Sequence, residues 1–117
     1  MRDQDISKRT KAFALRIIRL ASKLPKNRFG DVIGRQVLKS GTSIGANYAE
    51  AVRASSKKHF ISLVEIASRE AAETLYWLEL LSESSTFTRR QLTAVQQECR
   101  ELLAILTASA RTAKRRK

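Results

Sequence analysis

The chain has 117 residues, 43% of them apolar and 29% charged, which is one soluble domain with material for a core and too little for two. A single cysteine excludes a disulfide framework within the chain and a single histidine excludes any site built on two imidazoles, while one proline and four glycines argue for long helices over a loop-rich or all-β fold. Lys and Arg number 23 against 11 Asp and Glu, a net charge of +12, and a small protein this basic tends to meet polyanions, either nucleic acid or an anionic lipid surface.

In chain order, Ile6, Thr10, Phe13, Ile17, Leu20 and Leu24 recur at steps of three and four, the period of one helical face. Asp5 or Ser7 is placed to cap this first helix, and Pro25 ends it, because proline lacks the backbone donor and biases the residue before it away from helical angles. Residues 25–30 read as a loop and Asp31 as the N-cap of a second helix, whose stripe is Ile33, Val37, Gly41, Ile44, Tyr48 and Ala51. Gly34, Gly41 and Gly45 fall inside that helix, where each costs about 1 kcal/mol against alanine, so small residues are wanted there for close backbone approach.

Ser56 reads as the cap of a third helix with Phe60, Leu63, Ala67, Ala71, Thr74, Leu78 and Leu81 on its stripe and Ile61, Val64, Leu75 and Trp77 widening it, before it frays at residues 82–85. Thr88 and Gln91 match a capping box, and Leu92, Val95, Cys99, Leu102, Leu106, Ser109 and Ala113 carry a fourth helix to a basic tail. The expected fold is all-α, an antiparallel up-down-up-down four-helix bundle over residues 1–113 with a basic C-terminal tail at 114–117.

Charge is unevenly divided. Residues 1–58 carry 14 basic and 4 acidic side chains, residues 59–87 carry one basic and five acidic, and residues 111–117 carry five basic and none acidic. Pairing of the first or second helix with the acidic third is expected, within a subunit or across an interface; the alternative is a solvated acidic helix.

No pattern points to catalysis. His59 has Ser56, not Glu, three residues before it, so the Glu-x-x-His of a di-iron bundle is missing, and it reads as a surface residue near a helix start. Cys99 lies on an apolar stripe, the usual place for a buried free thiol. The run Gly41–Ala46 lacks the lysine of a phosphate loop and lies inside a helix. Glu70 with Glu73, and Asn47 with Glu50, share helical faces, where ion pairs with Arg35, Lys39 or Arg53 are the expected role. The reading is a non-enzymatic protein with no metal or cofactor, and the polar N-terminus and the lack of an apolar run near 18 residues place it in the cytoplasm, away from the membrane.

For nucleic acid, the exposed candidates are Lys57, Lys58, Arg89, Arg90, Arg111, Lys114, Arg115, Arg116 and Lys117. They lack the interleaved aromatics that stack single-stranded bases, so contacts are expected to be with phosphates of RNA or DNA and independent of sequence. The alternative is a structural or protein-interaction module whose charge serves solubility or assembly. The small-residue face at Gly41 and Gly45 and the wide apolar surface of the third helix predict self-association.

The stretch Leu38–Leu81 carries Ser43-Ile44, Asn47, Ala49-Glu50, Ser56, Phe60, Ile66-Ala67, Glu70 and Glu73-Thr74. This closely resembles the bacterial four-helix-bundle family named for the intervening-sequence protein of 23S ribosomal RNA genes; the Ala-Glu-Gly common there is Ala49-Glu50-Ala51 here. The resemblance implies a homopentamer arranged as a barrel, with Ser43, Ile44, Asn47, Glu50, Phe60, Glu70, Glu73 and Trp77 as motif or interface residues. It also implies likeness in fold to the accessory variability determinant of diversity-generating retroelements, which binds nucleic acid beside a reverse transcriptase, and so a reverse transcriptase or other nucleic-acid enzyme as a partner.

Overall fold

The structure, a computed structural model, describes residues 2–84, 87 and 89–116, with the side chain of Arg89 excepted. Four helices follow one another: α1 (Asp3–Ser22), α2 (Arg28–Ala51), α3 (Lys57–Glu83) and α4 (Arg89–Arg115), with no strand among the described residues. Each packs against its neighbours in sequence, and α1 closes the ring against α4, leaving α1–α3 and α2–α4 as diagonals. This is the up-down-up-down bundle, a body 49 Å long and 21 by 19 Å across.

Most residues of the expected stripes form the core, while Ile33, Phe60, Ser109 and Ala113 are half-buried at its margin. Ile6, Phe13 and Ile17 of α1 meet Val37, Ile44 and Tyr48 of α2, Val64, Ala67, Ala71, Leu78 and Leu81 of α3, and Leu92, Cys99, Leu102 and Leu106 of α4. All are buried because residues three and four apart share one helical face, and burying a large aliphatic or aromatic side chain stabilises by about 1.5–3 kcal/mol.

Helix ends depart from the sequence reading. Helix α1 begins at Asp3 behind Arg2, with no side-chain cap, so neither Asp5 nor Ser7 fills that place; Asp3 and Asp5 instead lie in the first turn, where negative charge suits the helix dipole. Helix α2 begins three residues before the expected cap. Asn27 is the N-cap, and its Oδ1 accepts from Gly30 N at 2.8 Å, leaving Asp31 in the first turn. Ser56 caps α3 as expected, its Oγ accepting from His59 N at 3.1 Å. Thr88, the expected cap of α4, lies outside the described residues. Helix α4 continues to Arg115, so Arg111, Lys114 and Arg115 belong to its last turns and not to a chain past its end.

The glycines of α2 let α1 come close. A Cβ on Gly41 would stand 2.8 and 2.9 Å from the side chain of buried Ile17, and one on Gly30 would overlap the carbonyl oxygen of Pro25 and stand 2.8 Å from its carbon. The small-residue face is therefore used inside the subunit and is not free for assembly, as the sequence reading had it. Gly34 is different, since its Cβ would meet only Leu24 Cδ1 at 3.2 Å.

The other pairs are pinned by polar contacts. Buried Ser40 of α2 and Thr74 of α3 have their hydroxyls 2.9 Å apart, each also within reach of a carbonyl of its own helix, Gln36 at 3.0 Å and Glu70 at 2.7 Å. Cys99 Sγ of α4 donates to the Ala71 carbonyl of α3 at 3.3 Å, and the Ser68 and Thr107 hydroxyls lie 3.1 Å apart. Burial pushes the Cys99 thiol up to about 12, so it stays protonated and inert.

The glycines separate by substitution. Gly30→Ala sets a Cβ against backbone that only reopening the α1–α2 turn can move, and it is expected to cost about 3 kcal/mol in a urea titration. Gly34→Ala gains up to about 1 kcal/mol of helix propensity against a movable leucine tip, and is expected to match or exceed the parent. The reverse order of stabilities would show that close approach at Pro25 does not set the turn.

Candidate nucleic-acid interface

Antiparallel packing decides which basic residues meet. The starts of α1 and α3 and the end of α4 share one end of the bundle, here called proximal, where Asp3, Ile6, Lys57, Phe60, Ile105, Thr112 and Arg116 line one open groove. Lys57 and Lys58 in the first turn of α3 are thereby joined to Arg111, Lys114, Arg115 and Arg116 in the last turns of α4, and all six are exposed. The cations at the end of α4 suit its dipole; those at the start of α3 oppose theirs, and no acid lies in that first turn to offset them. Arg90 stands at the other, distal end, exposed at the start of α4. Lys117 and the Arg89 side chain lie outside the described residues.

Two acids temper the proximal cluster. Lys114 Nζ pairs with Glu65 Oε2 of α3 at 2.6 Å, and Asp3 Oδ1 accepts from the hydroxyl of buried Tyr48 at 2.7 Å. Burial first, then that hydrogen bond to a carboxylate, raises the Tyr48 hydroxyl, which stays protonated.

Within the subunit the acidic third helix packs on α2, but among the described residues it forms no ion pair with α1 or α2. Among the described residues its ion pair is with the end of α4, through Glu65 and Lys114. The closest charge contacts of α1 go to α4: Arg9 donates to Glu98 from Nε at 3.1 Å and Nη2 at 2.6 Å, and to Glu101 from Nη2 at 2.9 Å. The hydrogen bond to Glu98 chiefly holds the guanidinium charged. Bonds from Gln97, then from Arg9, hold the Glu101 carboxyl below its ordinary 4.5. Spacing carried a signal for this clamp, because Glu98 and Glu101 share a face of α4.

The motif residues gather along α2 and α3, but most serve the helices themselves. Ile44 is core. Ser43 Oγ donates to the Lys39 carbonyl at 2.7 Å, and Asn47 Nδ2 to the Ser43 carbonyl at 2.8 Å, so both satisfy their own helix. Glu73 Oε2 accepts from Trp77 Nε1 at 3.1 Å instead of pairing with a cation. Burial, then Glu73, raises the Glu70 carboxyl against the opposing pull of Lys39 and Arg69. Glu50 is exposed, and Phe60 and Trp77 are half-buried. The large apolar side chains left exposed are not those widening α3. They are Leu15 and Ile18 of α1, Phe29, Val32 and Leu38 of α2, Val52 just past α2, and Tyr76 of α3.

Sequence reasoning passed over a second basic group. Arg16, Arg19 and Lys23 line a distal groove between α1 and α4 with Leu20, Phe87, Gln91 and Val95. Their spacing of three and four along one edge of α1 was the available signal. Among the described residues no three His, Cys, Asp or Glu are grouped to hold a metal ion, and no helix is long and apolar enough to cross a membrane.

The profile of the 23S rRNA-intervening sequence protein family matches residues 2–108. The chain belongs to that family. A solved structure agrees with this membership: a protein of unknown function from the S23 ribosomal protein family of Bacteroides thetaiotaomicron is 38% identical over 95% of this chain and 99% of its own, with a TM-score of 0.88. No curated protein matches. The Ser43-to-Thr74 pattern lies within the matched residues along α2 and α3, and its Phe60 lines the proximal groove beside Lys57.

The Arg9 clamp ties the α1–α4 side. Arg9→Gln is expected to cost about 1 kcal/mol at neutral pH, since its pair with Glu98 is mostly shielded from water. Because Glu101 is depressed in the folded state, its part is present above pH 4.5 and fades as pH falls through the lower folded value. Urea titrations of parent and variant at neutral pH and in acid check this; a gap that widens in acid would contradict it.

Proposed function

We propose that this protein is a non-enzymatic, self-associating cytosolic bundle that binds RNA or DNA through its phosphates, without reading sequence. One observation carries the reading: Lys57 and Lys58 are folded onto the same exposed end as Arg111, Arg115 and Arg116, although more than 50 residues separate the two sets. Cations brought together this way oppose one another unless a polyanion lies against them. The family's description, which refers to an intervening sequence of 23S rRNA, supports nucleic acid as that polyanion. A reverse transcriptase or another nucleic-acid enzyme fits as the protein partner.

Phosphate neutralisation releases counterions, so the logarithm of affinity for a duplex should fall with the logarithm of salt at a slope near −0.9 per contacted phosphate. A fluorescent hairpin titrated at two salt concentrations reads that slope, with a value of several units expected. No binding at low salt would discard the nucleic-acid reading and leave the assembly module.

Self-association rests on Leu15, Ile18, Val32 and Leu38, all exposed by 38–46% on α1 and α2. Apolar surface concentrated this way on a small protein marks a contact surface. Light scattering at micromolar concentration is expected to give a mass several times 13.2 kDa, five subunits being the number that the resemblance implies. A monomer would refute it. The same observation favours the second reading, a purely structural or protein-interaction module, should the hairpin fail to bind.

A further inference from the structure

Resting on the phosphate-binding reading, we propose that each subunit holds two separate nucleic-acid segments, one at each end of the bundle, and so bridges them. The proximal site has Lys57 and Arg116 in its groove, with Lys58, Arg111 and Arg115 exposed on the same helix ends; the distal site has Arg16, Arg19 and Lys23 in its groove, with Arg90 exposed at the start of α4. The distal groove has no acid in its lining. The proximal groove has one, Asp3, whose carboxylate is engaged by Tyr48.

On the α1–α4 side, the seam itself divides the two sites. Halfway along, Arg9 is neutralised by Glu98 and Glu101, the latter 49% exposed. A phosphate backbone following the seam would leave one basic groove, cross two carboxylates and only then reach the other. The side formed by α3 is no better a path, carrying Glu65, Glu70, Glu73 and Glu79 between its ends against the one intervening cation Arg69. Along α1, Lys8 and Lys11 lie between the ends, but half-exposed Leu15 and Ile18 break that line. The body is 49 Å long, whereas about eight base pairs span about 27 Å even at the roughly 3.4 Å per step of B-form DNA, and less in the A-form stem of an RNA hairpin. A short hairpin therefore occupies one end and leaves the other open. A single tract of charge along the whole body would instead give affinity that rises as the stem lengthens toward 49 Å, with either triple weakening the same binding event.

The probe is an RNA hairpin with a stem of about eight base pairs. Calorimetry at low salt is expected to give two hairpins per subunit, and protein held on an immobilised hairpin is expected to capture a second, labelled one. Two triple variants separate the ends, Lys57→Gln with Lys58→Gln and Arg116→Gln, and Arg19→Gln with Lys23→Gln and Arg90→Gln. All six side chains are exposed, and unchanged helicity and assembly mass establish that each variant is folded. Either triple is expected to lower the stoichiometry to one hairpin per subunit, while the remaining site binds within about twofold of its parent affinity. The count of hairpins per subunit, two falling to one with either triple, distinguishes two sites in one subunit from an oligomer with a single site per subunit. A stoichiometry of one, or full binding loss with the proximal triple and none with the distal, overturns the two-ended arrangement and leaves phosphate binding standing. No hairpin bound by the unsubstituted protein overturns both.

Discussion

The close seam between α1 and α2 is the constraint on which the bundle rests. Gly41 lets Ile17 lie directly on the α2 backbone, and Gly30 admits the Pro25 carbonyl where any side chain would collide. A Gly inside a helix sacrifices about 1 kcal/mol of propensity, so these positions make sense only through the tertiary contact they permit. Once the seam is set, Tyr48 reaches Asp3 at the proximal end, and the remaining two helices must close the core left open by the first pair.

The seams are held by different means. Small residues draw α1 to α2, hydroxyls and a thiol fix α2 to α3 and α3 to α4, and charge bridges the α1–α4 side. Using charge there has an electrical consequence. It consumes Glu98, Glu101 and Arg9 in the middle of the body and leaves uncancelled cations toward the two ends. The distribution of a +12 charge is thus a product of helix packing as much as of composition.

Most of the Ser43-to-Thr74 residues serve the bundle itself, although Phe60 lines the proximal groove. Ser43 and Asn47 bond to carbonyls of their own helix, Thr74 meets Ser40 in the core, and Glu73 holds Trp77. Roles of that kind preserve the α2–α3 pair whatever the protein binds, since a fold carries many functions. Of the clustered cations, Lys57 and Lys58 stand between Ser56 and Phe60 at the start of α3, and the others lie on α1 and α4 or just past their ends.

Much of the fold was legible in the sequence. The three-and-four spacing of Ile6 to Leu24, Val37 to Ala51, Leu63 to Leu81 and Leu92 to Leu106 predicts the helices and their buried faces, because that period puts side chains on one side of a helix regardless of context. Ser56 was legible as a cap for the same local reason, whereas Asn27 was hidden because Gly30 behind it looks like loop until Pro25 is seen packed against it. For the candidate interface, the sequence determined only the residue types and their number. Which cations meet which carboxylates was decided by tertiary structure: Arg9 finds Glu98 and Lys114 finds Glu65 across 89 and 49 residues, and Lys57 shares a groove with Arg116. Periodicity fixes the face a side chain occupies, but only antiparallel packing fixes the height at which helices lie beside each other, and charge pairing depends on both.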